Sequence, residues 1–201
     1  MFEHLPAWLG RALAGRRAGM DKIVLAEAGM AGVGQLTLVS PAFADGARLP
    51  ERFTADGEGA SPPLTWAGAA EGARLALIVE DPDAPTGTPM VHAVVVDLDG
   101  PAGRLEEGAI ARDGQQGEVG RNSSFRKGWL PPDPPNGHGE HRYVFQLFAL
   151  SPDAPDPGES PGRTALVEAM RGHVVASGVL VGTYSRGEPA MVGPVGAAQP
   201  I

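Results

Sequence analysis

The spacing of apolar positions changes near residue 36. Before it, Leu5, Trp8, Leu9, Ala12 and Leu13 recur at helical intervals, with Pro6 early and arginines on the other side. The pattern predicts a short amphipathic helix, weakened by Gly10 and Gly15, that packs on the domain, on a second subunit or on a membrane surface. From Leu36 the runs become short, strand-like and bounded by Gly and Pro. They predict strands near Leu36–Ser40, Leu64–Trp66, Leu75–Glu80, Val91–Leu98, Tyr143–Leu150 and Val179–Tyr184. The run Val91–Leu98 is apolar on both faces, which predicts a central strand covered on both sides, and Tyr143–Leu150 reads the same way. By strand parity His92 shares a face with Val94 and Val96. A helix is predicted at about Arg163–Arg171, with Leu166, Val167 and Met170 as its apolar face, Ser160 and Pro161 at its entry and Gly172 as its stop. Between the two long runs lies Gly100–Glu140, rich in Gly and Pro with little periodicity; a loop that long in one domain is a functional one.

These elements define a mostly β fold with a few peripheral helices. The division is an appendage over 1–35, one domain over 36–186 and a flexible tail over 187–201. Composition agrees: 201 residues with 42% apolar and 20% charged suffice for one sizeable core. The 29 glycines and 20 prolines follow no period, which excludes collagen and implies many turns. Sixteen basic against 24 acidic residues give a net charge of −8, a field that repels nucleic acid. The basic stretches Arg16–Gly19 and Phe125–Lys127 are too short to override it. The absence of cysteine removes thiol nucleophiles, zinc ribbons and disulfides. No stretch is long enough to span a bilayer. Charges at Arg11, Arg16, Arg17, Asp21 and Glu27 interrupt any apolar run of signal-peptide length, so the expected location is cytoplasmic.

Candidate chemistry collects at the ends of the buried strands. Asp81-Pro82-Asp83-Ala84-Pro85 follows the run Leu75–Glu80, and its prolines stiffen the loop that carries the two carboxylates. Pro89 and then His92 come next, the imidazole inside an apolar run where a polar ring needs a partner. His138, Glu140, His141, Arg142 and Tyr143 lead into the second long run. Taken singly, each is equally readable as a turn aspartate, a core histidine or a surface histidine.

In combination, DPDAP, Pro89-x-x-His92 and a Gly/Pro-rich loop ending in HRYVFQLFAL resemble the phosphatidylethanolamine-binding protein family, in its bacterial Raf kinase inhibitor-like branch. Five further short matches are SPAF at Ser40–Phe43, Leu49–Gly57, Ser61–Trp66, Gly172–Ala176 and Leu180–Tyr184. The resemblance implies a large antiparallel sheet with a smaller one, and an anion pocket at the sheet's edge formed by Asp81, Asp83, His92 and His141 with Pro85 and Tyr143 nearby. It also makes Ala84–Pro85 a candidate cis bond. Two departures bear on the pocket. Ala93 stands where the family has an aromatic residue, which opens one wall, and Pro131 has no N–H to offer a ligand.

The expected mechanism is that the aspartates raise the histidine pKa values, so that imidazolium N–H groups bind a phosphate-type anion or a phosphoethanolamine headgroup. Affinity would then fall as pH rises. No cofactor or metal is expected. The competing readings are a kinase- or protease-inhibitor-type interaction module independent of the pocket, a hydrolase or metal enzyme using Ser123 or Ser124, and a ligand-free core network. HExxH, GxSxG and P-loop patterns are missing, which argues against the enzyme. The N-terminal helix is compatible with a homodimer.

Overall fold

A computed structural model describes residues 7–27, 30, 34–98, 100–114 and 116–186. The predicted tail over 187–201 and Leu5 of the predicted helix lie outside the described residues. Among the described residues two α-helices, α1 (Ala7–Leu13) and α2 (Arg163–Met170), accompany nine strands. The strands are β1 (Gly34–Gln35), β2 (Thr37–Val39), β3 (Leu64–Ala67), β4 (Arg74–Asp81), β5 (Met90–Leu98), β6 (Ala102–Leu105), β7 (Glu118–Val119), β8 (His141–Leu150) and β9 (Val174–Tyr184).

Six strands form one sheet in the order β1-β9-β8-β4-β5-β7, and β2-β3-β6 form a second. Within the two sheets the strands pair antiparallel except β1 with β9. The strands β4, β5 and β8 are internal, as the two-faced hydrophobicity of β5 and β8 predicts. Leu75, Leu77, Val79, Tyr143, Phe145 and Leu147 face the small sheet, where Leu38, Leu64, Trp66 and Leu105 close the first core. On the opposite face Ala76, Ile78, Val94, Val96 and Phe148 pack against Leu166, Val167 and Met170 of α2.

Val24 and Met30 also belong to this second core and are fully buried. Part of the segment expected as an appendage is therefore built into the domain. The buried Glu80 carboxylate anchors it, accepting bonds from Val24 N (2.8 Å), Gln146 Nε2 (2.8 Å) and Arg163 Nε (2.6 Å).

Two differences from the sequence reading have local causes. The supposed loop Gly100–Glu140 contains β6 and β7, edge strands of four and two residues. Runs that short carry no period, and their pairing partners Leu64–Ala67 and Val95–Val96 lie elsewhere in the chain. In α1 the buried residue is Gly10, while Trp8 is 64% exposed. A Cβ on Gly10 would lie 1.9 Å from the Asn136 carbonyl oxygen, so the glycine that weakens the helix is what lets its backbone approach residues 136–138.

Candidate functional site

The site lies where β4, β5 and β8 end together on the face of the small sheet. Asp81 closes β4 and His141 opens β8. Between Val79↔Ala93 and Glu80↔Val91 the β4–β5 register skips His92, which is the extra residue of a β-bulge. The bulge reverses the parity expected from sequence. Val94 and Val96 face α2, whereas His92 turns to the other side, its ring 5.0 Å from Tyr143 and 5.9 Å from Trp129. Leu130 satisfies the bulged residue: its N–H donates to the His92 carbonyl (2.7 Å) and its own carbonyl accepts from His92 Nδ1 (2.6 Å).

Because a carbonyl only accepts, that contact puts the His92 proton on Nδ1 and leaves Nε2 as the free ring nitrogen. Burial lowers the His92 pKa, outweighing the attraction of Asp81 and the Leu130 bond. The expectation that a neighbouring carboxylate raises it is corrected for this residue, because desolvation wins. His92 Nε2 and the Tyr143 hydroxyl are both buried and have no hydrogen-bond partner among the described residues. Burial, followed by the Asp81 charge, holds the Tyr143 pKa well above its usual value, so the phenol keeps its proton.

Asp81 and three other groups form a chain. Asp81 Oδ1 accepts from Asp83 N (2.8 Å), and Oδ2 meets His141 Nδ1 at 2.7 Å. His141 Nε2 meets His138 Nδ1 at 2.7 Å, and His138 Nε2 donates to the Leu13 carbonyl of α1 at 2.9 Å. Each of the three bridges from Asp81 to Leu13 needs one proton. That is one more than a carboxylate and two neutral imidazoles carry, so the fully bonded chain holds one extra proton. Burial and the nearby His141 lower the His138 pKa.

Asp83 does not join this group. It is fully buried behind the site, where its carboxylate accepts from Arg142 N (2.9 Å), Arg142 Nε and Nη2 (2.7 Å each) and pairs with Arg17 Nη1 at 2.7 Å. Burial opposes its ionisation, but the bonds from Arg142 and Arg17 hold the carboxyl well below the usual range. It fixes the Asp81–Pro85 loop and does not line the cavity in front of Asp81. Ala84–Pro85 is trans, since no described peptide bond is cis.

In front of Asp81, His92 and His141 opens a cavity of about 580 Å³. Pro85 and Met90 line one side, and Trp129, Leu130, Pro131, Pro134 and Pro135 another. Ser123, Ser124, Arg126 and Lys127 also border it. Of the residues predicted from sequence, Asp81, Pro85, His92 and His141 line the cavity, and Tyr143 lies beneath it against His92. Trp129 was missed. It packs nearly parallel to Phe145 at 6.0 Å, and its Nε1 donates to the Phe53 carbonyl (3.0 Å). Its only sequence signal was a lone aromatic in a proline-rich stretch. Ser123 Oγ accepts from Val91 N (2.8 Å), which pins its segment to β5. Among the described residues, no group of three or more His, Cys, Asp or Glu could hold a metal ion. No described helix is long and apolar enough to cross a membrane.

Comparison with known proteins matches this arrangement to one family. The family profile described as phosphatidylethanolamine-binding protein covers residues 39–185. A UPF0098 protein of Methanothermobacter thermautotrophicus is 40% identical over 164 residues, covering 76% of this chain and all (100%) of the relative. Among solved structures, a phosphatidylethanolamine-binding protein homolog from Chlamydia trachomatis matches with a TM-score of 0.68 and 35% identity, covering 76% of this chain and 99% of its own. An Escherichia coli protein described as a member of the mammalian PEBP family matches at 0.69 and 28% identity, with the same coverage. The family profile and these matches agree, and the chain belongs to the phosphatidylethanolamine-binding protein family.

Proposed function

We propose that this chain is a non-catalytic binding protein whose cavity takes a phosphate-type anion, either free or as a phospholipid headgroup. The observation that carries the reading is the buried, unpartnered Nε2 of His92 on the cavity wall, with the unpartnered Tyr143 hydroxyl beneath it. Leaving such groups unpaired costs about 1–3 kcal/mol each, a cost a ligand would relieve. A phosphoryl group suits both atoms. One of its oxygens accepts from the phenol, and a second bonds to Nε2, which binds as a donor once the ring takes up a proton. Asp81, on the cavity wall, offers its remaining lone pairs to an ammonium such as that of phosphoethanolamine. Arg126 and Lys127 at the border supply positive potential.

Nothing in this chemistry calls for a cofactor. Regulation of a partner protein through the loaded or empty cavity is part of the proposal, and pocket-independent capture of a partner is its alternative. The test is calorimetric titration with phosphate and with phosphoethanolamine at pH 6 and pH 8, for the wild type and His92→Ala. The reading expects binding that is stronger at pH 6 and lost in the variant. Equal titrations for wild type and variant would remove the cavity from the function.

A further inference from the structure

The segment Arg121–Lys127 forms a built finger beside the cavity. Arg121 and Lys127 pair as an isolated antiparallel bridge, and Asn122 N donates to the Arg126 carbonyl at 2.9 Å. Asn122 is buried. Its Oδ1 accepts from Ser124 N (2.9 Å) and its Nδ2 donates to the Gly128 carbonyl (3.0 Å), so one side chain holds the tip together from inside. At the tip stands Phe125, 85% exposed and with φ of 59°. An aromatic residue in the left-handed region is uncommon and strained, and here its ring buries almost nothing in return.

Around it the fold gathers cations that are apart in sequence. Arg112, Arg121, Arg126 and Lys127 surround Phe125 in one shallow cleft, and Arg126 and Lys127 also border the main cavity. None of the four is in an ion pair among the described residues. Nearby acids do not cancel the patch: Asp113 is a single exposed carboxylate next to Arg112, and Asp133 is bound to Arg186. In a chain of net charge −8, four unpaired cations around one projecting aromatic form a local reversal of sign.

We propose that this finger docks the molecule on an anionic lipid surface, with Phe125 entering the headgroup layer, the four cations meeting lipid phosphates and the cavity mouth turned toward the bilayer. A projecting apolar ring ringed by cations matches a surface that is negative outside and apolar within. A single nucleic-acid strand would also stack a base on the ring, so DNA binding is the outcome that would overturn this reading. Each cation near such a surface contributes about fivefold to partitioning, and burying one phenyl ring contributes about tenfold or more.

The test is co-sedimentation of the full chain with vesicles of phosphatidylcholine alone and with phosphatidylglycerol added. The wild type is expected to bind the anionic vesicles at least about a hundredfold more strongly, and to release as salt rises. Phe125→Asn, which keeps a residue tolerant of positive φ, should lower partitioning about tenfold. The double reversal Arg126→Glu with Lys127→Glu should abolish it, while thermal unfolding confirms that both variants fold. Phe125→Asn, at a residue that does not line the cavity, should titrate inorganic phosphate like the wild type. That outcome separates this docking surface from the cavity reading, which would fail on its own if phosphate did not titrate. The proposal is overturned if neutral and anionic vesicles bind equally, if Phe125→Asn binds like the wild type, or if the chain ignores vesicles and binds a DNA oligonucleotide.

Discussion

Replacing Tyr143 by Phe separates a ligand site from a core network more cleanly than removal of either histidine. The phenol is fully buried and its hydroxyl has no partner among the described residues, while its ring packs edge-on against His92 at 5.0 Å. Phe keeps the ring and deletes only the oxygen. Because no protein hydrogen bond is lost, stability should stay level or rise, by up to about 1–3 kcal/mol for an unpaired buried hydroxyl removed. In a protein of this length that corresponds to a gain of up to roughly 2–4 °C in Tm per kcal/mol. Binding should move the other way. Burial keeps the phenol protonated, so it donates to the anion, and a hydrogen bond to a charged group is worth about 1.5–3 kcal/mol, or tenfold to more than a hundredfold in affinity. Scanning calorimetry and isothermal titration with glycerophosphoethanolamine measure the two effects on the same preparation. A Tm reduced by several degrees with unchanged affinity would refute the reasoning, since the hydroxyl would then be a structural partner and no ligand contact.

Three further outcomes follow from the same geometry. His92 has its pKa lowered by burial in the free protein, and a bound anion raises it, so binding takes up a proton. Affinity for glycerophosphoethanolamine, whose phosphodiester charge is constant, should therefore fall by up to about tenfold per pH unit between pH 6 and 8, and flat calorimetric isotherms across that range would contradict it. Asp83 has a folded-state pKa below its unfolded one, so it contributes stability above pH 4 that is lost as pH falls further. Asp83→Asn should cost about 2 kcal/mol at pH 7 and flatten the acid limb of the stability curve measured in urea. At Gly10 an added Cβ meets the Asn136 carbonyl at 1.9 Å, so Gly10→Ala should cost about 1–3 kcal/mol and speed proteolysis of the N-terminal segment, whereas Gly15→Ala, with open space around it, should not.

The amino-acid sequence alone was enough for what local pattern encodes. The two-faced apolar runs marked β5 and β8 as internal strands, because a strand covered on both sides needs apolar residues at every position. The spacing of Leu166, Val167 and Met170 marked α2, and the Asp-Pro-Asp-Ala-Pro and His-Arg-Tyr motifs at strand ends marked most of the site. Register, pairing and the competition between charge and burial were decided by the tertiary structure. A single bulge turned His92 away from Val94 and Val96, and nothing in a period-2 pattern reports an inserted residue. Asp81 and Asp83 are two residues apart and chemically identical, yet one lines the cavity while Arg142 and Arg17 hold the other out of it. The pKa of His92 followed the same logic: the nearby carboxylate was legible, but the desolvation that outweighs it exists only once the chain has closed around the ring. The four cations around Phe125 lie up to fifteen positions apart, and only the folded chain makes them neighbours.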